Sequence, residues 1–158
     1  MAKVKMVLSW WIPISLITVA LMVPTIAGAA GVIKIWPDQL KPKEPNREYH
    51  QNIEIACNNI FYTPLTLPPG ATIAKITYYH RGMASPAQTW FYIYRVKMGH
   101  IAETLGSGSS ADSTTVIIPV DVSVTGDPII RKGYRYMIQV GSDYDASLIQ
   151  GVKIDYQE

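Results

Sequence analysis

From residue 48 onward, apolar and polar side chains alternate with a period of two, the period of a strand with one face in a core and one in solvent. In residues 114–124, Val116, Ile118, Val120, Val122 and Val124 share one face. Residues 72–80 place Ala74, Ile76 and Tyr78 opposite Lys75, Thr77 and Tyr79; residues 136–140 keep Tyr136, Ile138 and Val140 in phase; residues 148–156 set Val152, Ile154 and Tyr156 against Lys153 and Asp155. Further strands are predicted over 31–36, 49–56, 60–67 and 89–96. The breaks are turn formers: Asn58-Asn59, Pro68-Pro69-Gly70 and Gly126-Asp127-Pro128. Residues 81–86 and the Gly/Ser run 106–110 are expected to be loops. Pro119 lacks a ladder donor, so its strand should lie at an edge or bend there. Seven to nine short strands without an amphipathic helix predict an all-β fold, a single antiparallel β-sandwich.

Two places in that pattern carry more detail. Gly133 followed three residues later by Tyr136 has the form of a tyrosine corner, which predicts an inward ring whose phenol bonds to backbone around residues 130–132. Residues 89–96, Thr-Trp-Phe-Tyr-Ile-Tyr-Arg-Val, form the most aromatic strand. One register buries Trp90, Tyr92 and Tyr94, the common use of strand aromatics. The other buries Phe91 and Ile93 and stands three rings in a row outside, where with Tyr79 they would make a sugar-stacking platform.

The first thirty residues read differently. Lys3 and Lys5 precede an uncharged apolar run, and Ala27-Gly28-Ala29-Ala30 supplies the small residues of a cleavage site, so residues 1–30 are expected to be a signal peptide, with an uncleaved membrane anchor as the alternative. Residues 31–47, rich in Pro and Lys after Trp36, read as an N-terminal arm or linker, tied down by Trp36 or free to pair with another subunit; residues 48–158 are the sandwich domain. The whole chain carries 14 basic and 12 acidic side chains. Lys3 and Lys5 leave with the first segment, so the remainder is balanced at twelve of each, without the basic field a nucleic-acid binder needs. Cys57 is the single cysteine and forms no internal disulfide; a small buried apolar role is expected.

Reactive constellations are sparse. His50, His80 and His100 lack metal-ligand spacing, although a sheet could bring His50 and His80 together. The few carboxylates in the strand-rich segments include Glu48, Glu54, Glu103 and Asp121, and a small sandwich offers little room for a cleft with two of them facing. No enzyme activity and no cofactor are expected. A structural Ca²⁺ is the exception to weigh: Asp143 and Asp145, with Ser142 and Ser147, set hard oxygen ligands in one loop, and Asp112 or Asp127 could complete the set.

Leu67-Pro68-Pro69-Gly70-Ala71-Thr72-Ile73, then Tyr92-Ile93-Tyr94-Arg95-Val96, is similar to the strand pattern of secreted jelly-roll modules of the DNRLRE type, and Gly151-Val152-Lys153-Ile154-Asp155-Tyr156 resembles the ending of other secreted sandwich proteins. The motif that names the DNRLRE modules is absent. The resemblance implies a jelly-roll-like sandwich used outside the cell, in some relatives for carbohydrate attachment, with no catalytic residues to carry over. Two functions follow as expectations. The first is a secreted or cell-surface structural component that acts by association. The second is a carbohydrate-binding module that uses Tyr79, Trp90, Tyr92 and Tyr94 on cell-surface polysaccharide. Neither involves nucleic acid, and membrane contact is expected through the N-terminal segment alone.

Overall fold

Alternating β-branched and aromatic residues hold extended backbone, and the turn formers between them reverse it, so successive strands fold back antiparallel. The structure, a computed structural model, describes residues 30–43, 55–56, 60–82, 88–111, 116–142 and 147–158. The strands are β1 (Ala30–Ile35), β2 (Lys41–Pro42), β3 (Ile55–Ala56), β4 (Ile60–Leu65), β5 (Thr72–Gly82), β6 (Thr89–Lys97), β7 (Glu103–Ser110), β8 (Ile118–Val124), β9 (Tyr134–Ser142) and β10 (Ser147–Gln157). One curled sheet runs in the order β1-β10-β5-β8-β7-β6-β9-β4-β2, with β3 beside β10, and every pairing is antiparallel. It folds over on itself as two layers. The first sheet is β1-β10-β5-β8 and the second is β7-β6-β9-β4-β2. Pairing β1 with β10, β4 with β9, β5 with β8 and β6 with β7 is the nested order of a jelly roll. The all-β antiparallel sandwich expected from the alternation is the fold.

The core lies between the sheets. Ile76 and Tyr78 of β5, Val122 of β8, and Ile149, Val152 and Ile154 of β10 face Phe61 of β4, Phe91 and Ile93 of β6, and Ile138 and Val140 of β9. Tyr78 stacks on Phe91 from the opposite sheet, centroids 5.9 Å apart and planes within 11°. Its buried phenol lies 3.3 Å from Thr89 Oγ1, so the polar end of the ring is satisfied inside the core. At one end of the sandwich, Gly133 takes φ 84° and the Tyr136 hydroxyl accepts the Arg131 N–H at 2.8 Å, which is the tyrosine corner.

Several expectations change. Residues 106–110 are not a loop but most of β7. Their missing side chains let β8 cross closely: a Cβ on Gly106 would sit 2.8 Å from the Ser123 carbonyl oxygen, and one on Gly108 3.3 Å from that of Asp121. β8 itself starts later than the alternation suggests, at Ile118, leaving Val116 67% exposed. It pairs with β5 across Pro119 and reaches β7 only at Ser123 and Val124, so Pro119 faces no second strand while β8 passes from one sheet to the other. In β5 a register shift opposite Asp155/Tyr156 leaves Ala74 out and turns Ile73 in. β5 also runs on through Arg81, into the predicted loop 81–86.

Of the segment read as an arm, residues 31–43 belong to the sandwich: β1 edges the first sheet and β2 the second. Fully buried Leu40, rather than the half-exposed Trp36, fastens the crossing between them. Residues 1–29, Cys57, His50 and the Asp143–Asp145 loop lie outside the described residues. Among the described residues no helix is long and apolar enough to cross a membrane.

Candidate functional site

β6 resolves its two registers through the core. Phe91 and Ile93 are fully buried, which turns Trp90, Tyr92 and Tyr94 to the outer face of the second sheet, half-buried and in a row. Trp90 and Tyr92 have centroids 5.6 Å apart at 49°; Tyr92 and Tyr94 are 5.8 Å apart at 25°. Across the β6–β9 pairing, Trp90 stands opposite Gly141. Its six-membered ring covers that glycine, and a Cβ there would collide with it. The absent side chain gives the indole a backbone floor. Burial, and then the neighbouring Tyr92, raises the Tyr94 phenol above its ordinary value, so it stays neutral at physiological pH.

The register carries this face across four strands. Tyr92 pairs with Gln139, which pairs with Tyr62, which pairs with Lys41; Tyr94 pairs with Met137, which pairs with Pro64. On the other side, Ser107 and Ser109 of β7 stand opposite Tyr92 and Trp90. A hollow of about 250 Å³ lies among Lys43, Ile60, Tyr62, Met137 and Gln139. It shares Tyr62 and Met137 with a larger groove of about 660 Å³ that runs to the end of the sandwich past Pro64, Val96, Lys132 and Arg135. Carbon-rich ring surfaces next to amide, hydroxyl and cationic groups can hold a ligand that is itself both apolar and polar.

The groove is bounded by a charge cluster that serves the fold. Arg95 donates from Nε to Glu103 at 2.8 Å, lies 3.5 Å from Asp127 and sits 5.5 Å from the Tyr134 ring centroid. Arg131 donates from Nε to Asp127 at 2.8 Å. The Arg131 side chain and the Ile129 N–H hold the Asp127 carboxyl below its usual value, and Arg95 does the same for Glu103.

Tyr79 is separated from the row. It stands on the outer face of the first sheet, where it lines a hollow of about 200 Å³ with Lys34, Trp36, Gln150, Gly151 and Lys153. Its neighbour in sequence, Tyr78, points the other way into the core. Asp143 and Asp145, the candidate calcium ligands, are outside the described residues, as is Asp112; Asp127 is committed to arginine. His80 is buried beside Tyr78, centroids 5.6 Å apart, and His100 is exposed. Among the described residues no group of three or more His, Cys, Asp or Glu side chains could hold a metal ion.

Gln139, Met137, Tyr62 and Gly141 were not singled out from the sequence. Tyr62 was within reach, because Phe61, Thr63 and Leu65 alternate against it. Gly141 was not, because its use depends on which residue of β6 it opposes.

No family model matches the chain, and no curated protein does, so the likeness to DNRLRE-type modules rests on the residues quoted for it. Among solved structures, the chain is similar to Eiger TNF from S. frugiperda, with 9% identity and a TM-score of 0.40 over 84% of this chain and 93% of that one. It is also similar to the C-terminal CBM6 of LamC, a marine laminarinase from Zobellia galactanivorans, with 17% identity and a TM-score of 0.39 over 78% of this chain and 98% of that one.

Proposed function

We propose that the protein is a non-catalytic carbohydrate-binding module of the cell exterior, and that the outer face of the second sheet is its binding surface. The observation that carries this reading is the outward row Trp90, Tyr92 and Tyr94, with the indole laid over Gly141. Sugar rings present apolar C–H faces and a rim of hydroxyls. The C–H faces gain by leaving water against aromatic surface, and Gln139, Ser107 and Ser109 supply donors and acceptors for the rim. A face of this kind, about three strand spacings or roughly 14 Å wide, is the size of a few sugar rings rather than of a folded partner.

The association reading drew on the near-neutral charge outside residues 1–30, on sheet edges and on a detachable N-terminal arm. With β1 and β2 paired inside the chain, the aromatic face is the stronger support for a function. Export remains part of the proposal, motivated by the composition of residues 1–30.

The test is affinity electrophoresis of protein produced from the full chain, through gels containing soluble polysaccharides. Retardation by at least one polysaccharide is expected, and Trp90→Ala should weaken it about tenfold, equivalent to ~1.4 kcal/mol. Tyr79→Ala, on the other sheet, should leave it unchanged. Free migration through every gel, or retardation lost with Tyr79 and not with Trp90, rejects this surface.

A further inference from the structure

The charges on the same face define the class of glycan. Of the five strands in the second sheet, the sole carboxylate is Glu103 of β7, and it is paired with Arg95. Cations are not paired in the same way. Lys41 shares a face with Tyr62 and Gln139 through the strand register; Lys43 lines the smaller hollow; Lys132 and Arg135 line the groove. All four are exposed, and none has an ion-pair partner among the described residues. Arg131, the other base of that groove, is taken up by Asp127. The first sheet shows the contrast, because two of its three outer lysines are matched, Lys75 with Asp121 at 2.9 Å and Lys153 with Asp155 at 2.9 Å, and only Lys34 of β1 has no ion-pair partner among the described residues.

Resting on the carbohydrate reading above, we propose that the ligand is an acidic polysaccharide, whose carboxylate or sulfate groups lie over Lys41, Lys43, Lys132 and Arg135 while its rings pack on Trp90, Tyr92 and Tyr94. The charge complementarity is greatest on this face, with four unmatched cations against the single Lys34 on the other sheet. It is also sparse: four cations spread over a surface roughly 14 Å by 20 Å match a chain with an anion on some of its sugars. A nucleic acid, with a charge about every 1.7 Å of duplex, would call for a denser field. The chain outside residues 1–30 carries equal numbers of acidic and basic groups, so the attraction is local to this face.

The experiment measures binding to polygalacturonate, dextran sulfate, neutral dextran, a neutral β-glucan and polyuridylate, at two salt concentrations. The proteins are the full-chain product and its Lys41→Gln/Lys43→Gln/Lys132→Gln/Arg135→Gln variant. Because these four side chains are exposed and unpaired, the variant should melt with the parent. Polygalacturonate or dextran sulfate should bind in preference to the neutral polymers, and whichever binds identifies carboxylate or sulfate as the anion. Raising salt from 0.1 M to 1 M shortens the screening length from about 10 Å to about 3 Å and should weaken that binding severalfold. The variant should lose about tenfold on the acidic polymer, a few-fold or less per exposed charge. Equal binding of neutral and acidic polymers, insensitive to salt and to the four substitutions, overturns the acidic ligand and leaves the aromatic site standing. Binding to none of the glycans removes both. Polyuridylate bound as tightly as the acidic glycans overturns the proposal in favour of a nucleic-acid partner.

Discussion

On the outer face of the first sheet, Lys75 and Lys153 each lie 2.9 Å from an aspartate, and Thr77, nearly covered, donates to Asp121 at 3.1 Å. On the outer face of the second, Trp90, Tyr92, Tyr94, Tyr62 and Met137 stand among lysines and an arginine that have no acidic partner among the described residues. Both faces belong to one sandwich with one core, so the core does not explain the difference. The first face pairs two of its three lysines and leaves only Lys34 unmatched among the described residues. The second keeps ring surface and positive charge that a ligand can use. Folding needs an outward-facing polar row on each sheet; it does not need three aromatic rings on one of them.

The comparison breaks first at β6, where inside and outside alternate residue by residue. Phe91→Ala should cost about 3–5 kcal/mol, because a fully buried ring stacked on Tyr78 leaves a cavity. Tyr92→Ala, one residue along and half-buried on the outer face, should cost about 1 kcal/mol or less. Urea midpoints measure both; similar losses would mean that the rings of β6 are core residues and that the second face is not free.

A smaller effect is expected at the corner beneath the groove. Tyr136→Phe removes the buried phenol that accepts the part-buried Arg131 N–H and should cost about 1–3 kcal/mol. Tyr62→Phe, on the exposed face, should fall within about 0.5 kcal/mol of the parent. An unchanged midpoint for Tyr136→Phe would detach the Lys132–Arg135 side of the groove from the fold that positions it.

The smallest effect belongs to the first face. Asp121→Asn removes an exposed pair, screened by solvent, and should shift the urea midpoint only slightly at neutral pH. The Asp121 carboxyl is held below its usual value by Lys75 first and by Thr77 second. A lowered carboxylate contributes stability above its unfolded value, near pH 4, and loses it as pH falls through the folded value. The parent should therefore lose more stability than Asp121→Asn between about pH 5 and pH 2. A variant with the parent's acid sensitivity would show that this pair contributes nothing to the face.

Much of the fold was legible because strand alternation and turn chemistry act locally. Val152, Ile154 and Tyr136 could be assigned to the interior from their neighbours alone, and the tyrosine corner needed nothing beyond Gly133 and its spacing. β7 was hidden because Glu103–Ser110 has little apolar alternation; its glycines serve the approach of β8, a contact that no local pattern records. The register of β6 was hidden for a related reason. Both of its faces are aromatic, and the choice is made by Tyr78 across the core and by Gly141 on the neighbouring strand. The separation of Tyr79 from Trp90 follows from sheet order, since β5 and β6 lie in different layers.

The central claim is that the second face binds an acidic glycan and the first does not. Backbone-amide NMR of the full-chain product, titrated with polygalacturonate oligomers, tests it most directly. The account predicts shift changes concentrated at Trp90, Tyr92, Tyr94, Met137, Gln139 and Tyr62, with Lys75, Thr77, Tyr79 and Lys153 unmoved. Changes concentrated on the latter set, around the hollow beside Trp36, or no changes at millimolar oligomer, would contradict it.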